Sequence, residues 1–273
     1  MAKLRPTPQR TCIFCEGTRL TKEHIWPNWA SSLIKSAGTN YRAEVQFTTA
    51  RVMGSKKRAE TTKHRPGEVK SKRLKVVCGA CNNGWMGRIE EQTKHILEPM
   101  IKGEFIILDH SNQLQLATWL TLKIVVAEHN LNKHVSNIET RKAFKQTPAP
   151  LHGMRIWIAQ CGEDGWQSAY WRHSACLRLS EPPRDSAKLD RSDNSQSITF
   201  GIGDLFIHAH HTTVSGLDLD CQFPDRLAIL PLWPIINQRI VWPPLRKISA
   251  LEANSISNTL DRLFDSPDVK WVD

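Results

Sequence analysis

The chain has no stretch apolar enough to span a membrane. Its most apolar run, Leu114 to Ala127, is broken by Gln115, Thr118 and Lys123, whereas a spanning helix needs about 20 nearly unbroken apolar residues. No membrane partner is therefore expected. The N-terminal Met1-Ala-Lys-Leu-Arg-Pro has no apolar h-region, which argues against a secretory signal. Without an export signal, the seven cysteines are expected to be metal ligands and free thiols rather than a disulfide framework. The expected setting is a reducing cytoplasm. No internal repeat is visible. Hydrophobic residues make up 40% of the chain, so a packed core is feasible and wholesale disorder is excluded. A length of 273 residues accommodates one large or two modest domains.

Acidic residues are in deficit, and the formal net charge is +10. The excess is uneven. Residues 51–75 carry ten Lys and Arg against Glu60 and Glu68, a local charge of +8. Such a run reads either as a solvated loop or as a phosphate-contacting arm. Its position between two cysteine pairs favours the arm. Lys56, Lys57, Arg58, Lys70, Lys72 and Arg73 are its candidate nucleic-acid contacts.

The cysteine pairs are Cys12-Ile-Phe-Cys15 and Cys78-Gly-Ala-Cys81. A CxxC turn sets two thiolates on one side of a tight loop, and two such turns complete a tetrahedral zinc site. Four unrelated buried thiols are the bland alternative, and the paired spacing argues against it. Four thiolates leave no open position for water, so this zinc would be structural and its binding would add to folding stability. Between the pairs lies Lys22-Glu23-His24-Ile25-Trp26-Pro27, and Asn82-Asn83 follows the second pair directly. His24 has the chemistry to take a proton from water. Glu23 has the chemistry to ligate a hard divalent cation such as Mg²⁺, and Asn82 can supply a neutral oxygen. A lone Glu-His pair is ordinarily a surface dipeptide; the flanking knuckles point the other way.

The periodicity divides the chain near residue 100, into 1–99 and 100–273. Asn28-Trp29 leads into a short helix, and Val45–Thr49 and Leu74–Val77 read as strands. Gly54 and Pro66-Gly67 mark turns in the basic stretch. Trp85, Ile89, Gln92 and Ile96 follow one helical face, which Pro99 ends or kinks. In the second part, Leu114–Asn130 reads as a helix. Arg155–Ala159, Ala169–Trp171, Ile198–Phe200 and Leu205–Ile207 read as strands, and Ala250–Phe264 as a closing helix. Glu181–Ser197, rich in Pro, Ser and Asp, reads as an exposed loop.

Other residues carry weaker signals. Trp26, Trp29 and Trp85 serve packing better than base stacking. Glu90 and Glu91 read as solvated charge rather than as metal ligands, and His64 ranks low as a phosphate contact. His208-Ala209-His210-His211 would put His208 and His210 on one face of a strand, where a polar strand edge is favoured over a metal site. Cys161, Cys176 and Cys221 lack metal-like spacing and read as buried thiols.

Taken in order, Cys-x-x-Cys, Glu-His-Ile-Trp-Pro and Cys-x-x-Cys-Asn resemble the HNH endonucleases, the zinc-stapled ββα-metal nucleases. The match is nearest to those with two CxxC knuckles of the recombination endonuclease VII type. It covers about residues 10–95. It implies an α+β chain: an N-terminal ββα-metal (HNH) module on a four-cysteine zinc site, then a separate α+β domain of unassigned role. It also implies a hydrolase that cleaves nucleic-acid phosphodiester bonds, DNA in preference to RNA. His24 then falls on the general base, Glu23 on the acidic metal ligand and Asn82 on the ligand from the helix, with Asn83 as its alternate. The implied metals are a structural Zn²⁺ on Cys12, Cys15, Cys78 and Cys81, and a catalytic Mg²⁺ or other divalent ion. One departure is plain: the family's middle Asn is absent from Lys72–Val77. A zinc-stabilised nucleic-acid-binding protein without turnover is the alternative. A nuclease module for defence or toxicity, gated by the second domain, is a third reading.

Overall fold

The computed structural model describes residues 11–34, 41–52, 55–66, 72–130, 134–162, 166–178, 192–220, 223–224, 227–260 and 270–271. For 41–52, 55–66 and 270–271 the description is of the backbone alone. Helices and sheets mix along the chain, as an α+β protein requires. Strand β1 (Leu20–His24) leads through a short helical turn at Asn28–Ser32 to a hairpin of β2 (Tyr41–Val52) and β3 (Ser55–Pro66). Strand β4 (Arg73–Cys78) returns antiparallel to β1. It runs directly into α1 (Gly79–Cys81), a wide π-type turn at Asn82–Met86, and α2 (Gly87–Lys102). Pro99 lies inside α2 without ending it; the helix stops at Gly103, whose φ of 71° is the left-handed conformation that suits glycine.

A short strand β5 (Ile106–Leu108) precedes α3 (His110–Glu128). Asp109 caps α3 by accepting a hydrogen bond from the Asn112 N–H. Helix α4 (Ile138–Gln146) is capped in the same way by Asn137. The strands β6 (Met154–Gln160), β7 (Ser168–Ala175), β8 (Leu177–Arg178), β9 (Ser195–Ile202), β10 (Leu205–Thr212), β11 (Leu230–Trp233) and β12 (Ile240–Trp242) follow. Helix α5 (Ala250–Ser257) and β13 (Lys270–Trp271) complete the order. Five strands form one antiparallel sheet in the order β11-β6-β10-β9-β7. No helix among the described residues is long and apolar enough to cross a membrane.

Several expectations change. The basic stretch beyond the expected turn at Gly54 is largely a strand: Lys56, Lys57 and Arg58 lie in β3, paired with Arg51, Ala50 and Thr49 of β2. Gly54 itself, Gly67 and Lys70 lie outside the described residues, as do 181–191, Cys221 and 261–264. Ser195–Ser197, expected at the end of an exposed loop, open the buried strand β9, because a polar residue whose backbone completes an interior ladder is buried with it. The division at residue 99–100 falls within α2, and one apolar core runs across it. Helix α3 is that core's centre. It is buried along nearly its whole length, with Leu116, Leu120 and Ile124 among side chains from both halves of the chain. Trp26 shows the same continuity: its indole meets Phe200 and Tyr170 of the five-stranded sheet edge-on, with centroids 5.1 and 6.3 Å away.

The strand β10 corrects a further reading. His208 and His210 share a face, as alternation requires, but they lie mid-sheet and fully buried rather than at a polar edge. Their Nε2 atoms are 2.9 Å apart, and the Thr259 hydroxyl is 2.8 and 3.1 Å from them. His210 Nδ1 lies 2.8 Å from the Leu219 carbonyl oxygen and so donates to it, leaving Nε2 as the acceptor in the neutral ring. Burial pushes His208 well below the ordinary imidazole range and His210 down to about 4. Two neutral, mutually satisfied imidazoles form a polar core network. The four knuckle cysteines are the single group of metal-ligating side chains found among the described residues.

Candidate functional site

The four cysteines come together although 62 residues separate the knuckles. The first knuckle folds as a tight turn: the Cys12 N–H donates to Gly17 O, and the Glu16 N–H to Cys12 O. Glu16 takes a φ of 60° to close it. The Ile13 N–H bonds to Val76 O, which lays this turn against β4. Cys78 ends β4 and Cys81 sits one turn later, so strand and helix start deliver the other two thiols. All four Sγ atoms lie within 4.8 Å of one another; Cys15 is 3.5 Å from Cys78 and 3.6 Å from Cys81. Zinc–sulfur bonds of about 2.3 Å in a tetrahedron place neighbouring sulfurs about 3.8 Å apart. The cluster therefore fits a structural zinc. Burial raises the Cys78 thiol, but hydrogen bonds from the Cys81 backbone and the neighbouring thiols outweigh it and bring it down to about 7. Burial chiefly raises Cys81 to about 12. The edge-on stack of Phe14 on Trp85, at 5.0 Å, backs the first knuckle. Arg141 of α4 donates from Nε to Ile13 O at 2.9 Å and ties the same turn to the second half of the chain.

From the cysteine end, β1 and β4 run antiparallel: Leu20 opposite Cys78, Thr21 opposite Val77, then Glu23 opposite Leu74 and His24 opposite Arg73. An irregularity between Thr21 and Glu23 shifts the register. Asn82 is linked to this strand through its amide, which donates from Nδ2 to the Thr21 hydroxyl at 3.1 Å; that hydroxyl donates on to Val77 O. The chain is not helical at Gly84, whose φ and ψ are −93° and −110°. That break separates the Asn82 turn from the regular helix. Asn83 is exposed.

His24 ends β1, half-buried, beside exposed Arg73. Burial, then the Arg73 charge, hold its imidazole below the ordinary value, so it is neutral at physiological pH. Glu23 is different. Alternation along the strand turns its carboxylate inward, where it is buried against Lys123 of α3: Nζ lies 2.7 Å from Oε1. Lys123 also pairs with Glu90 of α2 at 2.9 Å and donates to His24 O at 3.2 Å. Its ammonium is fully protonated, because these two carboxylates overcome the burial that would otherwise lower it. Glu90 is thus a buried-site partner, not the solvated charge expected from sequence. The sequence carried one signal for Lys123, a lone cation in the apolar run Leu114–Ala127, and it read there only as an interruption.

The candidate divalent site does not form as expected. Glu23 already holds a cation, and Asn82 is tied to Thr21 through its Nδ2, a bond that does not engage its oxygen. Glu23 as it stands does not fit a divalent ion. Lys72 also departs from expectation. It is 3% exposed, with its ammonium 4.8 Å from the Tyr170 ring centroid. Its backbone carbonyl accepts from the Ile25 N–H. A cation so enclosed is not positioned to meet phosphate. Arg73, next in sequence, is exposed, because adjacent strand residues face opposite sides.

No family model, no curated protein and no solved structure matches the chain.

Proposed function

We propose that the protein is an HNH-type endonuclease that hydrolyses nucleic-acid phosphodiester bonds, with DNA as its substrate. The observation that carries this is the placement of His24. It ends a strand whose antiparallel partner passes directly into the cysteine-bounded helix start, so strand, strand and helix follow the order of a ββα-metal module. Three further features support the reading. The imidazole is neutral and partly open, as a general base requires. Arg73 lies across from it and offers a guanidinium for a phosphate oxygen. The wide turn at Asn82–Met86 sits where such distortions often serve function.

In this reading the thiolate-bound zinc holds the geometry. His24 takes a proton from a water that attacks phosphorus, the phosphorus–O3′ bond breaks, the leaving 3′-oxygen takes a proton from solvent water, and Arg73 orients the phosphate. Lys56, Lys57 and Arg58 lie on β3 of the β2–β3 hairpin and are candidate phosphate contacts. No step is routed through a divalent ion, since Glu23 is already paired.

The pairing of Glu23 with Lys123 is also the specific observation that favours the second reading, a zinc-stabilised nucleic-acid-binding protein without turnover. One assay separates them. Plasmid DNA is incubated with the protein and Mg²⁺ or Mn²⁺, beside His24→Ala. Cleavage by wild type, reduced at least about 100-fold in the variant as loss of a general base requires, supports the nuclease. A gel shift with the plasmid left intact under every metal defeats it in favour of binding alone.

A further inference from the structure

We propose that Lys123 is the built-in cation of the Glu23–His24 site, and that Glu23 positions His24 instead of ligating a divalent ion. The role given to His24 rests on the nuclease reading above; the cation assignment rests on geometry. A lysine ammonium has three protons in a tripod. Here it meets three oxygens: Glu23 Oε1 at 2.7 Å, Glu90 Oε2 at 2.9 Å and His24 O at 3.2 Å. The Lys123 side chain is 3% exposed and those of Glu23 and Glu90 are 9% and 26% exposed. The three acceptors come from β1 and α2, and the donor from α3, so one ammonium joins three elements. The Trp119 ring closes one flank with its centroid 5.7 Å from Nζ.

This cage has the composition of a cation site, two carboxylates and a carbonyl, and a tethered cation fills it. A divalent ion on Glu23 Oε1 would stand within contact distance of a like charge in a poorly hydrated interior, where such repulsion is strong. To enter, it would have to drive Lys123 from a berth in which every proton is satisfied, leaving a buried ammonium unpaired. The bond to His24 O has a second consequence. It holds the backbone from which the imidazole projects, beside the Ile25 N–H bond to Lys72 O that closes the end of β1. Glu23, locked on the same ammonium, fixes the adjacent residue.

Manganese titration of the full chain by calorimetry, with the metal alone as probe, tests the assignment. Wild type and Glu23→Gln should bind Mn²⁺ alike, within about threefold. Lys123→Met should gain at least tenfold in Mn²⁺ affinity, because the oxygen cage is released, and Lys123→Met with Glu23→Gln should lose that gain. A purely structural lysine would not produce a gain that its partner's removal reverses. The proposal is overturned if Glu23→Gln alone weakens Mn²⁺ binding tenfold or more, or if a folded Lys123→Met gains nothing. Should Lys123→Met not fold, the wild-type and Glu23→Gln comparison still decides. Failure of the nuclease reading is a separate result, an intact plasmid with wild type, and leaves the manganese comparison valid.

Discussion

In the proposed nuclease, His24 would act as a base only while its imidazole is neutral, so pH reads its surroundings. Its folded value is below 6.5, lowered by burial and then by Arg73. A group with a lowered value stays deprotonated further into acid. The acid limb of the cleavage profile should therefore lie below pH 6.5, and activity should fall only as pH drops through that lower value. Replacing Arg73 by Ala removes one of the two main lowering influences. The acid limb should then move up toward pH 6.5 while binding to DNA weakens; initial rates across pH check the first and filter binding the second. An unmoved limb would mean that Arg73 does not face the working imidazole. Lys72 should behave oppositely to its neighbour. Its burial against Tyr170 makes it a stability residue. Sequence alone placed both in one basic run because charge patterning does not report which face of a strand is inward.

The cysteine knuckles join the β1–β4 pair to the start of the helix that follows it. The β1–β4 pair is only two strands, and such a ribbon is marginal by itself. Four thiolates binding one ion convert binding energy into folding energy. Purified protein should hold about one zinc per chain, and Cys78→Ser should hold none. Chelation should melt the ribbon and the start of α2 first, read as loss of amide protection at Thr21, Val77 and Asn82, while β10 stays protected. Uniform protection after zinc removal would show that the staple is dispensable. The knuckle spacing was legible because two thiolates on a tight turn need CxxC wherever they occur. The Glu23–Lys123–Glu90 cluster was not legible, because its members lie 100 and 33 residues apart on separate elements and no local pattern links them.

At the scale of the molecule, one core runs through both halves, and α3 is its axis. Glu128, near the end of that helix, is fully buried. It accepts from the Ser136 N–H at 3.0 Å and hydroxyl at 2.6 Å, and from the Gln196 amide of the sheet. Burial raises its carboxyl, but His211, Arg172 and Ser136 outweigh this and lower it from 4.5 to about 2. Because the folded value lies below the unfolded one, the stabilisation is fully present above pH 4.5 and is lost as pH falls toward 2. Its size is about 3 kcal/mol at most. Acid unfolding followed by near-ultraviolet circular dichroism should show this loss between pH 4.5 and 2. Glu128→Ala, which leaves the Ser136 N–H and the Gln196 amide without their acceptor, should cost about 3 kcal/mol at neutral pH. It should also flatten the acid dependence. A variant as acid-labile as wild type would assign the effect to other carboxylates.

The amino-acid sequence by itself determined the α+β mixture, the two CxxC knuckles, the order Glu-His then Cys-Asn, and the main helices and strands of the second half. Each is a local matter of spacing, period or turn chemistry, and a chain of L-residues obeys those rules before it packs. Tertiary structure alone decided that Glu23 meets an ammonium rather than solvent, that Lys72 is inside and Arg73 outside, and that His208 and His210 lie mid-sheet. It also decided that the chain shares one core across residue 100. Those outcomes depend on which distant elements come into contact, and burial reverses the cost of a charge according to what it finds there.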